Sequence, residues 1–383
     1  MRVLVVNAGS SSLKLSVLDE QDHLVASEDL QAPGGRIDDA ALREVVSRNG
    51  PIDAVGHRIV HGGTEFTAPV LVDARVVRRL ELLSDLAPLH QPKSLRGLDA
   101  VSRILEDVPA VACFDTAFHA TIPAAAATYA LPPEWRRRWD LRRFGFHGLS
   151  HSYASRRAAE MRRERKPATA DDWSPLRVVT CHLGAGASLA AVQGGISVDT
   201  TMGFTPLEGL VMATRSGSVD PGLLLWLEEH VGMPPSELAS TLEYRSGLLG
   251  LSGTADMRAV LRAEAAGDHD AMLAMGVYLH RLRASIAAMA AAMGGLDSVV
   301  FTGGVGERSP AVRRRASEGL GFLGLELDET ANEGAQGDQD ISVAGAEVMA
   351  FVIVAREDLE IARGVRQVLT GAPPEASPGA IVA

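Results

Sequence analysis

At 383 residues, 46% of them apolar, the chain is long enough to build two domains with substantial cores. Its net charge of −11 argues against nucleic acid or an anionic membrane as a partner, so a bound anion has to be met by local cations. Lysine occurs only at Lys14, Lys93 and Lys166, with arginine used elsewhere.

The first apolar run, Val3 to Val6, reads as a buried strand and leads into Asn7-Ala8-Gly9-Ser10-Ser11-Ser12-Leu13-Lys14. Gly9 permits close backbone approach or positive φ. The Asn7 amide, the Ser10 and Ser12 hydroxyls and the Lys14 cation suit an anion with many oxygens, a phosphate above all. An ordinary serine-rich hairpin is the other reading. The run is too short for a signal-peptide core.

Val55 to Val60 reads as a second strand, with Arg58 inside it. An arginine there is costly unless it reaches an anion or a structural carboxylate. His57 and His61 are four apart, but on a strand their rings would stand roughly 13 Å apart, a poor zinc pair. The strand Val111 to Phe114 ends at Asp115, and the strand Val348 to Ala355 runs out at Glu357; either carboxylate can hold Mg²⁺ or cap a helix. His147, flanked by glycines, bridges a turn into a helix that reaches His151. From Arg156 the chain reads as a solvated helix, then a surface loop over Lys166–Asp172.

Val178 to Val192 repeats the opening pattern, with His182-Leu183-Gly184-Ala185-Gly186 at its turn, which suggests two similar domains. Arg215 in Thr214-Arg215-Ser216-Gly217 poses the same choice as Arg58. Asp268 to Met293 reads as a long helix ended by Gly294-Gly295; His280, Arg281 and Arg283 make it unfit to span a bilayer. The turn Gly303-Gly304-Val305-Gly306 ahead of a helix can accept the face or phosphates of a nucleotide. The tail from Gly371 reads as disordered, and Cys113 and Cys181 as reduced core thiols of a cytoplasmic protein.

Taken in order, these motifs, with Ala87-Pro88-Leu89-His90, Phe114–His119, Phe144–His151, Met202–Gly209 and Ser246–Gly250, resemble the acetate and butyrate kinase family of the sugar kinase, Hsp70 and actin superfamily. The resemblance runs from Met1 to about Arg363. It implies an α/β chain of two actin-like (ribonuclease H-like, βββαβαβα) domains. The first would span 1–117 plus 357–383 and the second, a nucleotide-binding and dimerisation domain, 118–356, with the active site in the cleft. It also implies a homodimer and reversible transfer of the ATP γ-phosphoryl group to acetate, with ATP/ADP as substrate and Mg²⁺, or alternatively Mn²⁺, as cofactor.

By the same resemblance Arg58 and Arg215 bind the carboxylate and the moving phosphoryl, and His147 stabilises its equatorial oxygens. His182 lines the phosphate path beside Gly184, Ala185 and Gly186. Asp115 and Glu357, with Asn7, position the metal, while Asn7, Ser10, Ser12 and Lys14 surround phosphate. Asp256, Met257, Arg258, Gly304 and Val305 correspond to the adenosine pocket, and Val60, Leu89 and Pro206 to the pocket for the substrate methyl.

The chain departs from the family pattern at Ala185, where asparagine is usual, and at Gln91, Leu149, Ser218 and Arg308. A propionate or butyrate kinase is the near alternative, and a weakened nucleotide-binding sensor the distant one.

Overall fold

The computed structural model describes residues 1–9, 12–32, 37–87, 91–165 and 174–371. Ser10, Leu89, the loop Lys166–Asp172 and the tail beyond Gly371 lie outside the described residues. Contacts divide the chain into two units. The first holds Met1–Ala120, Phe146–Tyr153 and the described residues from Arg356 onward; the second holds Thr121–Gly145 and Ala154–Ala355.

The first unit is built on β1 (Val3–Ala8), β2 (Ser12–Leu18), β3 (Leu24–Gln31), β4 (Ala54–Ile59), β5 (Val70–Leu71) and β6 (Ala110–Phe114), in the order β3-β2-β1-β4-β6-β5. β1 pairs antiparallel with β2 and parallel with β4, and β4 is parallel to β6. β1 is central, and its Val3–Val6 run is apolar because both its faces are covered. Leu4 and Val6 join Leu13, Leu15, Leu42, Val55 and Val101 on one side. Val3 and Val5 join Cys113, Ile361, Ala362 and Val365 on the other. The edge strand β3 alternates exposed and half-buried residues instead.

The second unit has β7 (Arg177–Leu183), β8 (Ala187–Gln193), β9 (Ile196–Thr200), β10 (Ser298–Thr302), β11 (Gln339–Asp340) and β12 (Met349–Val352), ordered β11-β12-β10-β7-β8-β9. Read from its hairpin end this is the order of the first sheet: three antiparallel strands, two parallel ones, and a two-residue antiparallel edge. The internal repeat legible around Gly184 is therefore a repeat of topology. The long helix runs His269–Ala292, with the Asp268 side chain accepting from the Ala271 amide as its cap, and Gly294 follows at φ 66°. Cys113 and Cys181 are buried free thiols in β6 and β7, and burial pushes both pKa values up. Among the described residues no helix is long and apolar enough to cross a membrane.

Two glycines set the approach of the helix Glu357–Thr370 to the first sheet. A Cβ on Gly56 in β4 would collide with Ile361 and come within 2.8 Å of Val365 Cγ2; one on Gly364 would sit 2.9 Å from Pro69 Cγ and 3.1 Å from Cys113 Sγ. This close packing brings the helix start, Glu357, to the end of β4. Gly56→Ala should therefore lower the unfolding free energy by about 1–3 kcal/mol through overpacking. The check is the urea midpoint; an unchanged midpoint would contradict this packing.

Candidate active site

In the first unit β1, β4 and β6 deliver Asn7, Arg58 and Asp115 to the same edge of the sheet, the carboxyl ends of parallel strands. Alternation along β4 puts Gly56 and Arg58 on one face, the face covered by the helix that begins at Glu357. Arg58 grips the buried Asp115 with a fork: Nε donates to Oδ1 at 3.0 Å and Nη2 to Oδ2 at 2.6 Å. Its Nη1 donates to Asn7 Oδ1 at 3.2 Å and lies 3.4 Å from Glu357 Oε2. Asn7 Nδ2 closes the cluster by donating to the same Glu357 oxygen at 3.3 Å. Burial works against the charge on Arg58, yet Asp115 and Glu357 outweigh it and push the guanidinium pKa above its ordinary value. Lys14 is the β2 partner of Asn7 in register, on the same sheet face. Gly9 keeps a negative φ, and its N–H donates to the Ser12 carbonyl at 2.8 Å; a Cβ there would lie 3.3 Å from that oxygen.

His147 stands immediately before the helix Gly148–Arg165 at φ 57°, a left-handed conformation that a residue with a side chain holds only when its surroundings impose it. They do. The Gly148 N–H donates to the Asp115 carbonyl at 2.9 Å, where a Cβ on Gly148 would collide, and the His151 N–H donates to the His147 carbonyl at 2.9 Å. His119 Nε2 donates to the Phe146 carbonyl at 3.1 Å, and the Phe146 ring meets His61 edge-on at 5.5 Å. The loop that presents His147 is thus tied to Asp115, the residue that fixes Arg58. Glu357 is the first residue of its helix and Asp115 precedes a short 3₁₀ turn, so neither caps an α-helix.

His57, His61 and His119 are buried neutral in this unit, with pKa values lowered by burial to about 3, 4 and 4. The unfolded chain takes up protons below about pH 6.5, whereas the folded one resists until about pH 4. Their contribution is complete above pH 6.5 and shrinks as pH falls toward 4, by about 1.4 kcal/mol per pH unit and histidine. Urea titrations at stepped pH should show this slope, reduced in His57→Leu. A variant slope equal to that of the parent protein would contradict the neutral burial of His57.

In the second unit Arg215 Nε donates to Glu243 Oε1 at 2.7 Å and Nη1 to the Pro206 carbonyl at 3.3 Å, joining two residues singled out in the sequence. His182 lies half-buried in β7, opposite Ser188, and Gly184 donates to the Gly186 carbonyl at 3.0 Å across the following turn. A cavity of about 640 Å³ gathers Gly184, Ala185, Asp256, Met257, Arg258, Gly304 and Val305 on one wall set. Asp256 caps the helix Met257–Ala265 by accepting from the Arg258 N–H at 3.0 Å, which fixes that side of the cavity.

The glycine segment is not the expected turn. Gly303–Arg308 is itself a short helix, with Thr302 as its cap residue. The reason lies in Arg313, buried at 1% exposure, whose Nη1 donates to the Gly306 and Glu307 carbonyls at 2.9 and 2.8 Å and takes up the helix's terminal acceptors. Its Nε and Nη2 are held by Asn332. Sequence reasoning missed Arg313, hidden in the run Arg313-Arg314-Arg315, and also Tyr278, Leu248 and Arg262, which line the cavity with Arg308. Of the other departures, Leu149 packs in the core beneath β1, and Ser218 Oγ accepts from the Gly209 N–H at 3.0 Å.

Ala185 offers the cavity a methyl and its own carbonyl accepts from the Ala213 N–H at 3.1 Å. If, as the resemblance implies, this turn faces phosphate, an amide side chain there would add hydrogen bonds worth about 1.5–3 kcal/mol to a charged group. Ala185→Asn should raise turnover with nucleotide roughly tenfold. An unchanged or lower rate would show that the turn has adapted to alanine.

Residues 36–363 match the model of the Acetokinase family. An acetate kinase of Microcystis aeruginosa is 43% identical over 95% of this chain and 98% of that protein. One of Clavibacter sepedonicus is 44% identical over 94% and 97%. Among solved structures, the acetate kinase of Porphyromonas gingivalis has a TM-score of 0.85 at 35% identity, covering 96% of this chain and 99% of its own. A propionate kinase from Francisella tularensis has a TM-score of 0.87 at 33% identity, with 96% and 99% covered.

Proposed function

The chain belongs to the acetokinase family, and from that premise we propose that it transfers the ATP γ-phosphoryl group reversibly to acetate, giving acetyl phosphate and ADP by direct in-line transfer. The observation that carries this reading is the Arg58 fork on Asp115 at the strand ends, a cation held in place by two hydrogen bonds. A carboxylate oxygen is already a nucleophile, so the reaction needs no general base. It needs fixed positive charge and donors around the moving phosphoryl. Arg58 and Arg215 supply that charge, each restrained by a carboxylate, and His147 donates to the equatorial oxygens. By the same resemblance we assign Asn7, Ser10, Ser12, Lys14 and His182 to phosphate. The cavity at Asp256–Arg258 and Gly304–Val305 takes the adenosine.

The family implies a divalent cation as well as ATP. Asp115, Glu357 and the Asn7 carbonyl form an all-oxygen set, but both carboxylates already face Arg58, so they fit an ion held partly through water and substrate phosphates. We assign it as Mg²⁺, with Mn²⁺ the alternative; bound there, it would offset phosphate charge. By resemblance to the family, Val60, Leu89 and Pro206 are the residues we assign to the substrate methyl. Propionate is the second acid, because one methylene changes discrimination by only ~1–3 kcal/mol. A cytoplasmic homodimer completes the proposal, supported by exposed Leu223, Leu225, Trp226 and Val231 in the second unit.

Mg-ATP with acetate should give acyl phosphate, trapped as the hydroxamate, with less from propionate and butyrate. Arg58→Ala should lower the rate on the order of 10³-fold. No product from any of the three acids, in protein that still binds ATP, would overturn the reading.

A further inference from the structure

Past the end of β4 the chain leaves the sheet through His61, Gly62 and Gly63, and side chains accept from all three backbone N–H groups. Gln91 Oε1 accepts from His61 at 3.1 Å, Thr116 Oγ1 from Gly62 at 3.0 Å, and His61 Nδ1 from Gly63 at 2.9 Å. Gln91 goes further. Its Nε2 donates to the His61 carbonyl at 3.0 Å, so a single amide holds both backbone groups of one residue, as a neighbouring strand would. Gln91 is fully buried and is the first residue of the helix Gln91–Ser102, on whose buried face Leu98 and Val101 also lie. The grip is therefore anchored in the core rather than on a mobile surface side chain.

We propose that Gln91 is a positioning residue for the acyl substrate: by clasping His61 it fixes the chain through Val60, the residue assigned to the substrate methyl. The inference rests on the reading of Val60 given above. Gly62 and Gly63 make the clasp necessary, since two consecutive glycines leave the backbone soft and Gly63 sits at φ 62°. The fork on Asp115 holds Arg58 independently. Loss of the clasp should therefore fall on recognition of the acid more than on the nucleotide. Asparagine at this position is one methylene shorter and cannot reach both groups of His61 unless the helix start moves.

The test compares the parent protein with Gln91→Met, which keeps length and bulk without either hydrogen bond, and Gln91→Glu, which keeps only the acceptor. Rates are measured with acetate and with propionate, and ATP is varied separately. Gln91→Met should raise KM for acetate about fivefold or more and narrow the acetate-to-propionate ratio of kcat/KM about threefold, with KM for ATP within about twofold. Gln91→Glu should fall between. An unmoved acetate KM and acid preference, or acetate and ATP constants worsening together with the melting temperature, would place Gln91 in the core alone and overturn the proposal. If Gln91→Met does not fold, Gln91→Asn and Gln91→Glu carry the same readouts. A parent protein that forms no acyl phosphate overturns the functional reading and the proposal with it; an active parent with unmoved variants overturns the proposal alone.

Discussion

The first unit depends on a charge that is mostly buried and never free: the Arg58 guanidinium, forked on Asp115. Taking two ions out of water costs several kcal/mol each, and only good geometry with further hydrogen bonds offsets it. Here the geometry is a bidentate fork, and Asn7 and Glu357 satisfy the remaining edge. The arrangement exists because three parallel strand ends lie side by side and because Gly56 and Gly364 let a helix come close enough to contribute Glu357. The same Asp115 receives the Gly148 N–H and so sets the strained His147. Arginine, carboxylates and histidine are one framework, and moving any of them moves the others.

The second unit reuses the strand order and puts different chemistry at its ends. Arg215 is braced by Glu243 as Arg58 is by Asp115. A cavity of about 640 Å³ takes the place of the carboxylate cluster. Its glycine wall stays thin because Gly304 leaves open space where a side chain would stand, while Arg313 secures the same segment from behind. The two units thus place unlike side chains at the ends of the same strand order.

Much of this was legible in the chain itself. Apolar runs that stop at Asn7, Asp115 and Gly184 mark strand ends, and an arginine inside such a run, as at Arg58, announces a partner before any partner is known. The repeat of strand, glycine turn and strand exposed the second sheet. Gln91 and Arg313 were not legible in the same way. Their meaning is a contact with His61 or Asn332, 30 and 19 residues away in the chain, and neither carries a local pattern that distinguishes it from a solvated residue. The segment Gly303–Gly306 shows the same limit: glycines favour a turn locally, and a buried arginine from the next helix made them helical.

The most direct test of this framework is a double-mutant cycle across Arg58 and Asp115, read in unfolding free energy. Arg58→Ala should destabilise by about 3–5 kcal/mol, because it strands the buried Asp115 charge, and Asp115→Ala by less, because Glu357 still faces Arg58. The double variant should lose less than the sum, by about 1 kcal/mol or more. Strictly additive losses would show that the two side chains act independently and would contradict the account.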